Sequence, residues 1–111
     1  MKTEHPTSAV IELLVRNHPG TMSHITGLFA RRAFNLEAII CVPVGDGTSS
    51  SILLLVARSP RLEQMERQAS KLHDVLAIRR REDLDPSVFR GVATLIGMSG
   101  AHAERSPAAI A

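Results

Sequence analysis

The sequence predicts an α+β sandwich in which one four-stranded antiparallel sheet carries two helices on a single face. Three observations predict it. Runs rich in branched apolar residues recur four times between residues 9 and 81, two of the intervals between them have helical spacing, and the remaining interval, "GDGTSS", has turn chemistry. The order strand, helix, strand, strand, helix, strand is that of two split βαβ halves, a ferredoxin-like βαββαβ sandwich.

The first strand is "AVIELLVR", residues 9–16, closed by Asn17-His18-Pro19-Gly20. Helical spacing then begins, with Met22, Ile25, Leu28, Phe29 and Ala33 on one face. Pro19 suits a first helical position because it has no N–H to lose, and Arg31 and Arg32 suit the negative end of the helix dipole, so the helix is expected over about 19–33. "LEAIICVPV" and "SILLLVA" flank the Gly-Asp-Gly turn and should pair as an antiparallel hairpin. Ser59-Pro60 reads as an N-cap followed by proline, opening a second helix over about 60–73 with Leu62, Met65, Ala69 and Leu72 inward. "VLAIRRR" is the fourth strand. This divides the chain into an N-terminal extension at 1–7, a domain at 8–84 and a C-terminal extension at 85–111, whose last dozen small and polar residues are expected to be disordered.

A chain of 111 residues suits one modest domain, so function is expected through binding or assembly. The composition is 44% hydrophobic and 3% aromatic, without Trp or Tyr, so the core must be aliphatic. A net charge of +2 makes no demand for nucleic acid, and no RNP-type aromatic pair lies on a central strand. No apolar run approaches a membrane span, and "MKTEHP" lacks the apolar core of a signal peptide, which places the protein in the cytoplasm. Cys41, among Ile39, Ile40 and Val42, is expected to be a buried thiol in a reducing compartment. With helices on one face only, an edge strand and a bare face are left for a second copy or a larger partner.

The segment with most chemical content is the approach to the first helix. A helix N-terminus offers unpaired N–H groups and positive potential to a carboxylate, and Gly20 would admit a ligand to the backbone. Asn17 before the helix and Asn35 after it supply both acceptors for an ammonium and donors for a carboxylate. On their own these residues equally make an ordinary connector, and the pattern alone favours that reading. His5, His18, His24, His73 and His102 show no metal-ligand spacing, so no metal site is expected. Ser49-Ser50-Ser51 has no accompanying base and reads as loop, while Arg79-Arg80-Arg81 reads as a solvated, charged strand edge. No catalytic residue emerges.

The segments "ELLVRNHPGTMSHITGLFARRAFNLEAIICVP", "LLLVA", "RLEQMERQASKLHDVLAI" and "DPSVF" resemble, in order and without large gaps, ACT domains of the acetohydroxyacid synthase (acetolactate synthase) small-subunit family, in its short form. The resemblance implies a non-catalytic regulatory subunit without cofactors of its own. Its partner would be a large catalytic subunit using thiamine diphosphate, Mg²⁺ and FAD to condense pyruvate with a second 2-oxo acid. It also implies a homodimer binding a branched-chain amino acid, above all valine, for feedback inhibition. The effector residues carried over are Asn17, Gly20, the Thr21 and Met22 backbone, and Asn35 from the same chain or its partner. The alternative within the resemblance is a stand-alone amino-acid sensor acting on another protein. Longer members have a second domain absent here, so Val88, Phe89 and Val92 in the apolar 85–98 segment are assigned to docking on the catalytic subunit, with a second copy or the chain's own bare face as the other cover. Many ACT domains place Gly where Ala33 stands.

Overall fold

Alternation along the first strand fixes how the sheet lies. In β1 (Ser8–Arg16), Ala9, Ile11, Leu13 and Val15 are all buried, and they share a face with Ile52, Leu54 and Val56 of β3 (Ser49–Ala57). On that face pack α1 (Thr21–Arg31), through Ile25, Leu28 and Phe29, and α2 (Leu62–Ser70), through Leu62, Met65 and Ala69. The computed structural model describes residues 7–98. With β2 (Leu36–Val44) and β4 (Val75–Arg80), the sheet is antiparallel in the order β2-β3-β1-β4. This is the expected sandwich, with its two helices on one face. The order puts the two most buried strands, β1 and β3, in the middle, where both edges are hydrogen-bonded.

Helix boundaries are tighter than the spacing suggests, for local reasons. Gly20 adopts φ 88° and stands as the N-cap of α1, so the helix starts at Thr21 and Pro19 belongs to the preceding turn. At the other end, the Ala33 N–H donates to Ala30 O (3.0 Å) and the Phe34 N–H to Phe29 O (2.9 Å), the paired bonds of a Schellman stop. Its left-handed residue is Ala33, at φ 61°, which explains why glycine suits this position. Phe34 then packs edge-on against Phe29, with ring centroids 6.2 Å apart, and closes the end of the core. Ser59 acts one turn ahead of α2, its Oγ accepting from the Arg61 N–H (3.1 Å) and its carbonyl from the Leu62 N–H (3.0 Å).

Three expectations are corrected. Ser49-Ser50-Ser51, read as loop, opens β3 and pairs with the end of β1. Cys41 is exposed, not buried. Its neighbours are apolar, but β2 is an edge strand, and Val42, Pro43 and Val44 beside it are exposed as well. The apolar 85–98 segment contains a third helix, α3 (Ser87–Leu95), which the sequence reading did not name. Phe89 is its buried residue, 9% exposed, so this proposed docking residue is taken up within the chain. Val88 is half-buried, and Val92, Leu95, Ile96 and Met98 remain exposed. Val10, which alternation directs away from the α1 and α2 face, is covered as well, and the Arg81–Pro86 approach to α3 shares a cleft with Ser8, Ala9 and Val10. The disorder expected for the last dozen residues falls outside the described residues. Among those described, no helix is long and apolar enough to cross a membrane.

Candidate functional site

The end of β1, the start of α1 and the tip of the β2–β3 hairpin converge. As β1 ends, the Arg16 N–H donates to Asp74 O (2.8 Å) and the Asn17 N–H to Thr48 O (3.0 Å). The Asn17 side chain is exposed and its Nδ2 donates to Gly47 O at 2.9 Å. The hairpin tip can receive it because Gly47, at φ 91°, turns there, while Asp46 Oδ1 accepts from both the N–H and the hydroxyl of Thr48. Asn17 is therefore a brace between two loops.

Beyond it, Gly20 delivers the chain into α1 with no side-chain cap and no acid in the first turn. The Thr21 N–H reaches His18 O (3.3 Å) and the His24 N–H reaches Gly20 O (2.9 Å). The amides between them belong to the group that a helix cannot satisfy internally, and they carry the positive end of its dipole. Thr21 is buried, and its hydroxyl donates to Arg16 O (3.0 Å) and approaches Asp74 Oδ2 (3.3 Å). The Met22 side chain packs against the core, so only its backbone faces the loop.

Asp74, in the turn before β4, is the residue that sequence reasoning missed. It is 4% exposed, and its carboxylate meets His18 Nε2 at 2.6 Å, Thr21 Oγ1 at 3.3 Å and His24 Nδ1 at 3.6 Å. Burial by itself pushes this carboxyl up; the hydrogen bonds from His18 and Thr21 outweigh it and hold Asp74 below the ordinary 3.8. His18 also meets Pro19 O through Nδ1 at 3.0 Å. The Pro19 carbonyl first, and then Asp74, raise His18 above the ordinary 6.5. Although two histidines and an aspartate gather here, no group of three His, Cys, Asp or Glu among the described residues has metal-binding geometry. Only the long separation of Asp74 from His18 in sequence hid the contact.

Asn35 is placed elsewhere. It is exposed at the entry to β2, beyond the Schellman stop, whereas Asn17 precedes α1. Eleven helical residues span about 16 Å, so a single chain does not bring the two Asn residues together.

The charged strand edge expected at Arg79–Arg81 is present on β4, with Arg79 exposed to solvent, and its guanidiniums are paired. Arg79 Nε reaches Glu12 at 3.1 Å, Arg80 grips Glu66 through two bonds of 2.8 and 3.0 Å, and Arg81 joins Glu12 (2.8 Å) to Asp83 (2.7 Å). Arg81 above all lowers Glu12, and it holds Asp83 at about 2. Such a neutralised cluster offers little to a polyanion.

Residues 11–77 match the AHAS small subunit-like ACT domain. The chain is 51% identical over 86 residues to the acetolactate synthase isozyme 1 small subunit of Escherichia coli K12, covering 78% of this chain and 88% of that one. It is 31% identical over 94 residues to the acetolactate synthase small subunit of Haemophilus influenzae, covering 81% of this chain and 58% of the other. Among solved structures, the acetolactate synthase small subunit of Thermotoga maritima superposes with a TM-score of 0.61 at 32% identity, over 71% of this chain and 48% of that one. The ACT domain of a Chlorobium tepidum GTP pyrophosphokinase, at 20% identity, TM-score 0.53 and coverage of 69% and 88%, shares the fold.

Proposed function

The chain belongs to the acetolactate synthase small-subunit family of ACT domains, and from that premise we propose that it is a homodimeric regulatory subunit that binds a branched-chain amino acid, valine before leucine or isoleucine. Occupancy of that site sets the feedback inhibition of a large catalytic subunit, which the small subunit also activates. The chemistry stays with the partner, together with its thiamine diphosphate, Mg²⁺ and FAD, and both subunits work in the cytoplasm.

The observation that carries this reading is the separation of Asn17 from Asn35 on a sheet whose β2 edge pairs with no further strand among the described residues. If two copies pair β2 to β2 about a twofold axis, the start of one strand stands opposite the end of the other. The end of β2 leads into the Gly45–Thr48 turn, whose Gly47 carbonyl holds Asn17. Asn35 of one copy is thereby carried to the Asn17 loop of the second. The effector carboxylate then faces the open amides after Gly20 and its ammonium an Asn oxygen, an arrangement only the dimer can complete. Binding changes the catalytic subunit only so far as the effector prefers one state of the assembly.

Calorimetric titration of the purified chain with valine, leucine, isoleucine and lysine tests the assignment. Heat with the branched-chain amino acids and none with lysine is expected; a response to lysine alone, or to none, would remove it. Gly20→Asp places a negative charge where the carboxylate should sit and should abolish inhibition while activation persists. Gly20→Ala, with the same φ 88° strain but no charge, is the control.

A further inference from the structure

The buried Asp74 has no part in holding the effector in the site just proposed, yet it bonds to the loop that does. We propose that Asp74 is the positioning residue of the effector loop, holding it through an imidazolium of His18 bonded at both ring nitrogens, so that effector affinity falls as rising pH removes one of those protons. This rests on the proposed effector site.

The geometry leaves little choice of protonation. His18 Nε2 faces a carboxylate oxygen at 2.6 Å and Nδ1 faces the Pro19 carbonyl at 3.0 Å, and both partners are acceptors. Imidazolium donates to both; neutral imidazole has a single N–H and must turn a lone pair on one of them. The two bonds bracket Pro19 and the entry to Gly20, while the same carboxylate reaches Thr21 and the Asp74 carbonyl receives the Arg16 N–H. Asp74 thus touches the loop before it, within it and after it.

The other charges around His18 come from every element that meets there. Arg16, at the end of β1, disfavours the imidazolium; Asp74 favours it; His24 on α1 approaches the same carboxylate at 3.6 Å, and His73 lies beside Asp74 in sequence and field. The net effect on His18 is upward from 6.5. A group raised on folding contributes fully below its unfolded value and loses its contribution as pH rises through the folded value, so the loop is best set below about pH 6.5 and loosens above it.

Valine titrated into the full chain at about pH 6 and about pH 8.5 reads this out. Losing one hydrogen bond from the loop should weaken binding roughly threefold to tenfold at the higher pH. His18→Gln, at a half-exposed position, should bind with the weaker affinity at both pH values, and Asp74→Asn should also bind weakly and lower the His18 ring midpoint seen by NMR. Equal wild-type affinity at both pH values, or wild-type affinity and pH profile in Asp74→Asn, would overturn the proposal. If the wild type gives no heat with valine, leucine or isoleucine, the effector assignment fails, and the ligand-free chain decides the clamp. There, a His18 midpoint that drops in Asp74→Asn, with Gly20 and Thr21 amide shifts following it, supports the clamp; a midpoint indifferent to that substitution defeats it.

Discussion

The two edges of the sheet are built to opposite specifications. β2 carries no Lys or Arg, and its Ile39, Val42 and Val44 are 38%, 50% and 36% exposed, with Glu37 as its one charged side chain and Pro43 limiting pairing near its end. β4 ends in consecutive arginines, each bonded to a carboxylate on a neighbouring element. A bare apolar edge invites another strand, while an edge whose long charged side chains are already committed resists one. One molecule thus presents a side for pairing and closes the other, which is the asymmetry a closed dimer needs and an open filament lacks.

The largest expected effect comes from reversing that asymmetry. Ile39→Lys should weaken the dimer by at least about 2 kcal/mol, roughly thirtyfold, and abolish effector binding with it. Leu76→Lys, on β4 at a side chain 44% exposed, should leave both unchanged. Sedimentation of the two variants decides: a monomer from Leu76→Lys and a dimer from Ile39→Lys would exchange the roles of the edges.

Next in size are the asparagines. Asn17→Ala and Asn35→Ala should each cost roughly 1.5–3 kcal/mol of effector binding, about tenfold to a hundredfold, through hydrogen bonds to a charged group. Mixing the two variant chains sharpens the comparison. If the site is shared across β2, each mixed dimer regains one intact site and loses the other completely. Titration of the mixture showing no recovered tight site would place both Asn residues in sites of a single chain, or in none.

A smaller effect is expected at the closed edge. Glu66→Ala frees Arg80 from a two-pronged ion pair whose side chains are only 29% and 18% exposed, and should cost about 1 kcal/mol in urea unfolding without altering the dimer. The smallest concerns acid. Arg81 holds Asp83 at about 2, so whatever this pair contributes is present above the unfolded value of 3.8 and lost as pH falls through about 2. The urea midpoint should therefore decline between pH 3.8 and 2, and less steeply in Asp83→Asn. Equal slopes would remove the pair from the edge's defences.

What the sequence made legible follows from how far each signal reaches. The strand runs, the α1 face of Ile25, Leu28 and Phe29, and the Gly47 turn depend on neighbours within a few residues and are all found, although β3 starts at Ser49, two residues inside the expected turn. Asn17 and Gly20 were legible as a loop because Pro and Gly punctuate chains locally. Cys41 misled because an interior and an edge strand can have the same composition, and only the pairing order separates them. Asp74 gave no signal because its meaning depends on His18, which the fold alone brings to 2.6 Å. α3 escaped because Gly91 and the flanking Gly97 break the helical reading, although Phe89 anchors the segment.

The strand order has a consequence for how the chain is made. β1 leaves the ribosome first, but its two partners are β3 and β4, and β4 ends at Arg80. At about 5–20 residues per second, β1 waits several seconds for its last neighbour. Meanwhile the β2–β3 hairpin, whose pairing is local, can form alone with its apolar edge open. Chains on neighbouring ribosomes could meet through that edge before either domain is complete, so assembly of the proposed dimer can begin during synthesis, and the late arrival of β4 with its arginines closes the side where further strands would add.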